Sequence, residues 1–112
     1  MSNFCDTKCE ACSGDAPALT DNQLAELIPQ VPEWELAEKN GIKQLKRIFK
    51  FKNFAEALEF TNKIGALAES QNHHPSITTQ WGRVTVTWYT HKIKGLHRND
   101  FVMAAKTDIL YG

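Results

Sequence analysis

Six residues with carboxylate or imidazole side chains fall between positions 69 and 100: Glu69, His73, His74, His91, His97 and Asp100, which include all four histidines of the chain. An unperturbed imidazole titrates near pH ~6.5, so two of them facing a small substrate can give and accept protons at neutral pH without a cofactor. A metal site fits less well. His73 and His74 are adjacent, and neighbouring side chains of an extended segment point to opposite sides. Neither H-x-H nor H-x3-H occurs, which leaves at most two imidazoles with Glu69 or Asp100 as ligands. Nucleophilic catalysis is weaker still, because no cysteine lies near the histidines and the nearby Ser and Thr form no nucleophile elbow. The bland alternative is that the histidines close strand ends, Asp100 caps a helix and Glu69 is a charge at a helix terminus. Clustering favours proton transfer, but spacing alone names no substrate.

The elements that must position these groups are legible from period and caps. Thr20 with Gln23 three residues on is a capping-box pattern opening a helix whose apolar face is Leu24, Leu27 and Ile28; Pro29 and Pro32 stop it. "EWELAE", with Trp34 and Leu36 alternating against Glu33 and Glu35, predicts a half-buried strand, and "KNG" a hairpin turn. "KQLKRIFKF" is its partner, with Leu45, Phe49 and Phe51 on one face. At Asn53, which with Glu56 forms a second capping-box pattern, the period changes to a helix lined by Ala57, Phe60, Ile64, Leu67 and Ala68 and reaching about Ser70. Two more strands, 76–80 and 83–90, join at Trp81-Gly82; the second alternates Val84, Val86 and Trp88 with Thr85, Thr87 and Tyr89. A last helix, about 98–110, carries Phe101, Val102, Ala105 and Ile109. The expected fold class is α+β: a four-stranded antiparallel sheet with three helices packed on one face, in the order α-β-β-α-β-β-α. Residues 19–112 form one domain behind an irregular cysteine-containing tail, 1–18.

With Trp81 and Gly82 as the turn, Gln80 lies opposite Arg83, and extending the register brings His74 near Tyr89 and Asn72 near His91. Strands run about 4.8 Å apart, so His73, His74 and His91 are expected to surround one pocket at the sheet's end. Pro75 restricts His74 to extended backbone. A slip of one residue would turn His91 to the other face.

Composition narrows the partners. Lys and Arg total 13, as do Asp and Glu, and 42% of residues are hydrophobic, which is ordinary for a globular domain. No net positive charge points to nucleic acid or an anionic membrane; the basic run from Lys43 to Lys52 interleaves with Leu45, Ile48, Phe49 and Phe51 and reads as a strand with a solvated side. No stretch approaches the roughly 20 apolar residues of a membrane span, and "MSNFCDTKCEACSGD" lacks the apolar segment of a signal peptide, so the expected location is the cytoplasm. Cys5, Cys9 and Cys12 share the C-x3-C-x2-C spacing with which radical S-adenosylmethionine enzymes hold a cluster. Those enzymes use a barrel-like core of ~200 residues or more. No fourth zinc ligand is evident, so reduced thiols are expected.

A longer pattern runs through the histidines: Glu69, three residues, His73-His74-Pro75; Trp81 before the turn; "VTVTWYTH" ending in His91; "GLHRND" reaching Asp100; and upstream "PEW" at 32–34 and "FKFKNFAEALEF" at 49–60. Over about residues 17–110 the chain closely resembles pterin-4a-carbinolamine dehydratases. The resemblance implies removal of water from 4a-hydroxytetrahydrobiopterin to give quinonoid dihydropterin, which recycles the pterin for aromatic amino acid hydroxylation, with phenylalanine hydroxylase as the usual companion. It implies no cofactor, the pterin being the substrate, and a homodimer or homotetramer. Carried over by position, His73 and His91 would be acid and base, and His74 would orient the pterin. Glu69, Asp100, Pro75 and Thr90 would bind substrate or support the site. The alternatives are a dimerisation or regulatory module with little activity, and a dehydratase-like protein of molybdopterin metabolism; the intact catalytic positions favour the enzyme.

Overall fold

The computed structural model describes residues 18–112, so Cys5, Cys9 and Cys12 lie outside the described residues. Helix α1, Asp21–Leu27, starts at Thr20, whose hydroxyl accepts from the Gln23 amide while the Gln23 side chain accepts from the Thr20 amide. A 3-10 turn, Ile28–Gln30, takes in Pro29, where the missing N–H ends regular helix. Strands β1, Glu35–Lys39, and β2, Ile42–Lys50, meet at Asn40 and Gly41, both with positive φ (54° and 79°), the conformation a two-residue hairpin of matching twist requires.

Helix α2, Phe54–Gln71, is capped by Asn53, whose side chain accepts from the Glu56 amide at 2.9 Å. The reciprocal half of the expected box is missing: Glu56 reaches the Lys52 amide instead. Strands β3, Ser76–Gln80, and β4, Arg83–Trp88, pair from Gln80 opposite Arg83 to Ser76 opposite Thr87. A second 3-10 turn, His91–Ile93, leads to α3, Arg98–Tyr111. The four strands form one antiparallel sheet in the order β1-β2-β4-β3, and the helices cover one of its faces.

Leu45 and Phe49 of β2 and Val84, Val86 and Trp88 of β4 point to the covered face and are fully buried against Phe60 and Ile64 of α2 and Phe101, Val102 and Met103 of α3. Each such side chain contributes about 1.5–3 kcal/mol by leaving water. The opposite face carries Gln44, Lys46, Thr78, Thr85 and Thr87, which line an open depression.

Three expectations need correction. Trp34 precedes β1 rather than lying in it, and Leu36, though opposite Leu45 on the covered face, stays 38% exposed because β1 is an edge strand. Ile109 is 64% exposed. Asp108 and Tyr111 turn toward the sheet in its place: Asp108 accepts from Trp34 Nε1 and Arg47, and Tyr111 sits edge-on to Phe49. β4 ends at Trp88, so the extended pairing of His74 with Tyr89 and Asn72 with His91 does not form. Asn72, in left-handed conformation at φ 51°, closes α2, while Thr90 pairs with Gly95 and pulls the chain out of the sheet.

Candidate functional site

The turn that ends α2 delivers the first histidine. Its amide donates to Ala68 O at 3.2 Å, which folds His73 back under the helix, where it is 6% exposed. Its ring lies nearly parallel to Trp88, with centroids 5.5 Å apart and planes 20° from parallel. Trp88 is itself held, since its indole N–H donates to Thr107 Oγ1 at 3.1 Å and that hydroxyl donates to Met103 O.

Asp100 meets His73 from α3. Its Oδ1 is 2.7 Å from His73 Nε2, while Oδ2 accepts from the Thr90 hydroxyl at 2.8 Å and the His97 amide at 2.9 Å. The residue is fully buried and Thr90 nearly so. Asp100 caps α3 and also bonds to the imidazole: one oxygen closes the capping box at His97, and the other meets His73 Nε2.

His74 and His91 make their contacts elsewhere. His74, one residue on, is exposed and pairs with Glu69 in the last turn of α2. Both side chains are more than half exposed, so the pair is worth ~0–1 kcal/mol at most. Pro75 is half-buried and leads into β3. His91 is exposed in its 3-10 turn and packs on Tyr89, ring centroids 4.2 Å apart; no hydrogen bond or ring contact joins it to His73 or His74. It nevertheless follows Thr90 directly, so its backbone is one peptide unit from a residue bonded to the carboxylate that holds His73. Trp81 is 74% exposed in its turn.

The three histidines expected around one pocket thus make separate contacts: His73 with Asp100, His74 with Glu69 and His91 with the Tyr89 ring. Trp88, Thr107 and Tyr89 were not foreseen as site residues. Alternation did place Trp88 inward, but nothing local marks Thr107 as its partner nineteen residues on. Among the described residues no group of three or more His, Cys, Asp or Glu is arranged to hold a metal ion, and no helix is long and apolar enough to cross a membrane. What the arrangement supplies is an oriented imidazole in an apolar wall, with two further imidazoles at the surface nearby in sequence.

Comparison with known proteins bears on the family and the fold. The family model described as pterin 4 alpha carbinolamine dehydratase matches residues 17–110. A protein of Nitrosococcus oceani carrying the provisional name pterin-4-alpha-carbinolamine dehydratase is 58% identical over 110 residues, 98% of this chain and 97% of that one. Among solved structures, a transcriptional coactivator/pterin dehydratase from Brucella melitensis superposes with a TM-score of 0.77 at 32% identity, covering 85% of this chain and 99% of its own. A pterin dehydratase-like protein identified as a RuBisCO assembly factor in the alpha-carboxysome gives 0.61 at 25% identity, over 71% of this chain and 90% of its own.

Proposed function

The chain belongs to the pterin 4 alpha carbinolamine dehydratase family, and from that premise we propose that it removes water from 4a-hydroxytetrahydropterin to give quinonoid dihydropterin. The C4a–O bond breaks, the N5 proton leaves, and the N5 electrons form the new C4a=N5 double bond. The hydroxyl departs as water once its oxygen has received a proton. Two positioned acid-base groups therefore suffice, and such groups contribute on the order of 10²- to 10⁴-fold in rate. His73 and His91 are the proposed pair, with His74 orienting the pterin and Glu69, Pro75, Thr90 and Asp100 supporting them.

The observation that carries the reading is the buried His73–Asp100 pair at 2.7 Å, set beside a tryptophan ring within the segment that the family model matches. A histidine that served only to cap a strand would not need a fully buried carboxylate as partner. In the cell the proposed role is to recycle tetrahydropterin for aromatic amino acid hydroxylation, in the cytoplasm, with phenylalanine hydroxylase as the pathway companion. A homodimer or homotetramer is the proposed assembly.

The test supplies the 4a-carbinolamine, generated in situ by a pterin-dependent hydroxylase, and follows its decay. Acceleration by catalytic amounts of protein supports the reading; decay unchanged at stoichiometric protein refutes it. A second reading, a binding or assembly module with little activity, draws on the Brucella and alpha-carboxysome relatives and on Phe54 and Leu58, each 44% exposed one turn apart on α2. Absent turnover with the same protein folded would favour it.

A further inference from the structure

Asp100 has three neighbours that can bond to it and only acceptor atoms to offer them. The His97 amide is an obligatory donor, and the Thr90 hydroxyl at 2.8 Å donates to a carboxylate that has no proton to return. By the same reasoning the 2.7 Å contact to His73 requires the hydrogen to sit on Nε2. In the neutral ring the lone pair then lies on Nδ1. That atom makes no hydrogen bond to a described residue, and no buried side-chain nitrogen or oxygen among them lacks a partner, so Nδ1 reaches the surface.

We propose that Asp100, clamped by the Thr90 hydroxyl and the His97 amide, fixes His73 as its Nε2–H tautomer and makes Nδ1 the atom that exchanges a proton with the pterin. Asp100 and Thr90 are thus positioning residues rather than substrate ligands. The identity of the proton-exchange partner rests on the dehydratase reading; the tautomer does not. Helix capping alone accounts for Oδ2 at the His97 amide and leaves the bond from Oδ1 unexplained.

The substitution Asp100→Asn reverses the logic with almost no change of shape. The His97 amide still demands an acceptor, so the new carboxamide oxygen faces His97 and Thr90 and its NH2 faces His73. A neutral His73 must then accept at Nε2 and carry its proton on Nδ1, the wrong tautomer, a fault that costs about 10⁴-fold where a histidine base has been tested in this way.

The experiment records the two-bond ¹H–¹⁵N spectrum of ring-labelled protein at a pH where the imidazoles are neutral, with His73 assigned by its absence in His73→Gln. The Nε2–H pattern is expected for wild type and Nδ1–H for Asp100→Asn. An Nδ1–H pattern in wild type overturns the proposal, and it does so even if Asp100→Asn fails to fold. In the decay assay kcat should fall ~10²- to 10⁴-fold in Asp100→Asn with KM little changed. Thr90→Val should lower kcat, and Thr90→Ser, which restores the hydroxyl, should recover it. A reversed tautomer with full activity rejects Nδ1 as the reacting atom. A wild-type Nε2–H spectrum without any turnover sinks the dehydratase reading while leaving the clamp standing.

Discussion

His73 lies against Trp88 with ring planes 20° apart, so a core residue of β4 forms one wall of the proposed site. The wall is fixed in turn by Thr107, whose hydroxyl takes the buried indole N–H. Thr107→Val keeps the volume and removes that acceptor. Leaving the donor unpaired should cost about 1–3 kcal/mol in urea unfolding. An unshifted midpoint would mean that the indole finds another partner.

The imidazoles themselves should govern rate. His73→Ala and His91→Ala are each expected to slow carbinolamine dehydration on the order of 10²- to 10⁴-fold. Stopped-flow decay curves measure this directly. Undiminished turnover in both variants would reject their assignment as acid and base.

Metal removal should change nothing. Among the described residues no donor group suited to an ion is assembled, and dehydration as proposed needs only proton transfers. Prolonged dialysis against a chelator should leave the specific rate constant intact, and loss restored by a divalent ion would contradict the mechanism.

The β3-β4 turn depends on Gly82, with φ +76°. A Cβ there would also stand 3.3 Å from Phe51 O, which accepts no displacement cheaply because the Phe51 amide donates to Gly82 O. Gly82→Ala should destabilise by more than about 1 kcal/mol, read as a lowered unfolding temperature. An unchanged temperature would show that the turn relaxes.

Asp108 ties α3 to the strands by accepting from Trp34 Nε1 at 2.8 Å and from Arg47 at 2.6 Å. Asp108→Ala strands both donors in a half-buried position and should cost about 1–3 kcal/mol. Asp108→Asn keeps an acceptor and should cost less; equal losses would argue against the hydrogen bonds as the source.

The elements were legible because their signals are local. The Thr20–Gln23 box, the Asn40-Gly41 turn and the alternation of Val84, Val86 and Trp88 each depend on residues within a few positions, and each forms as read. The β3-β4 register followed from a two-residue turn, which fixes pairing next to it. It failed farther out, where Thr90 bonds to Gly95 and Asn72 ends α2, because no turn can dictate where a strand stops.

The site divides along the same line. By itself the sequence determined which side chains were available for proton transfer, the order of the strands and helices carrying them, and the two hairpins that bring their segments together. Only the tertiary structure decided that His73 is buried on Trp88 and bonded to Asp100, twenty-seven positions away, while His74 and His91 stay at the surface. Caps and periods act over one or two turns of chain, whereas that pairing depends on how α3 docks against the sheet, a result of side-chain packing summed over the whole core.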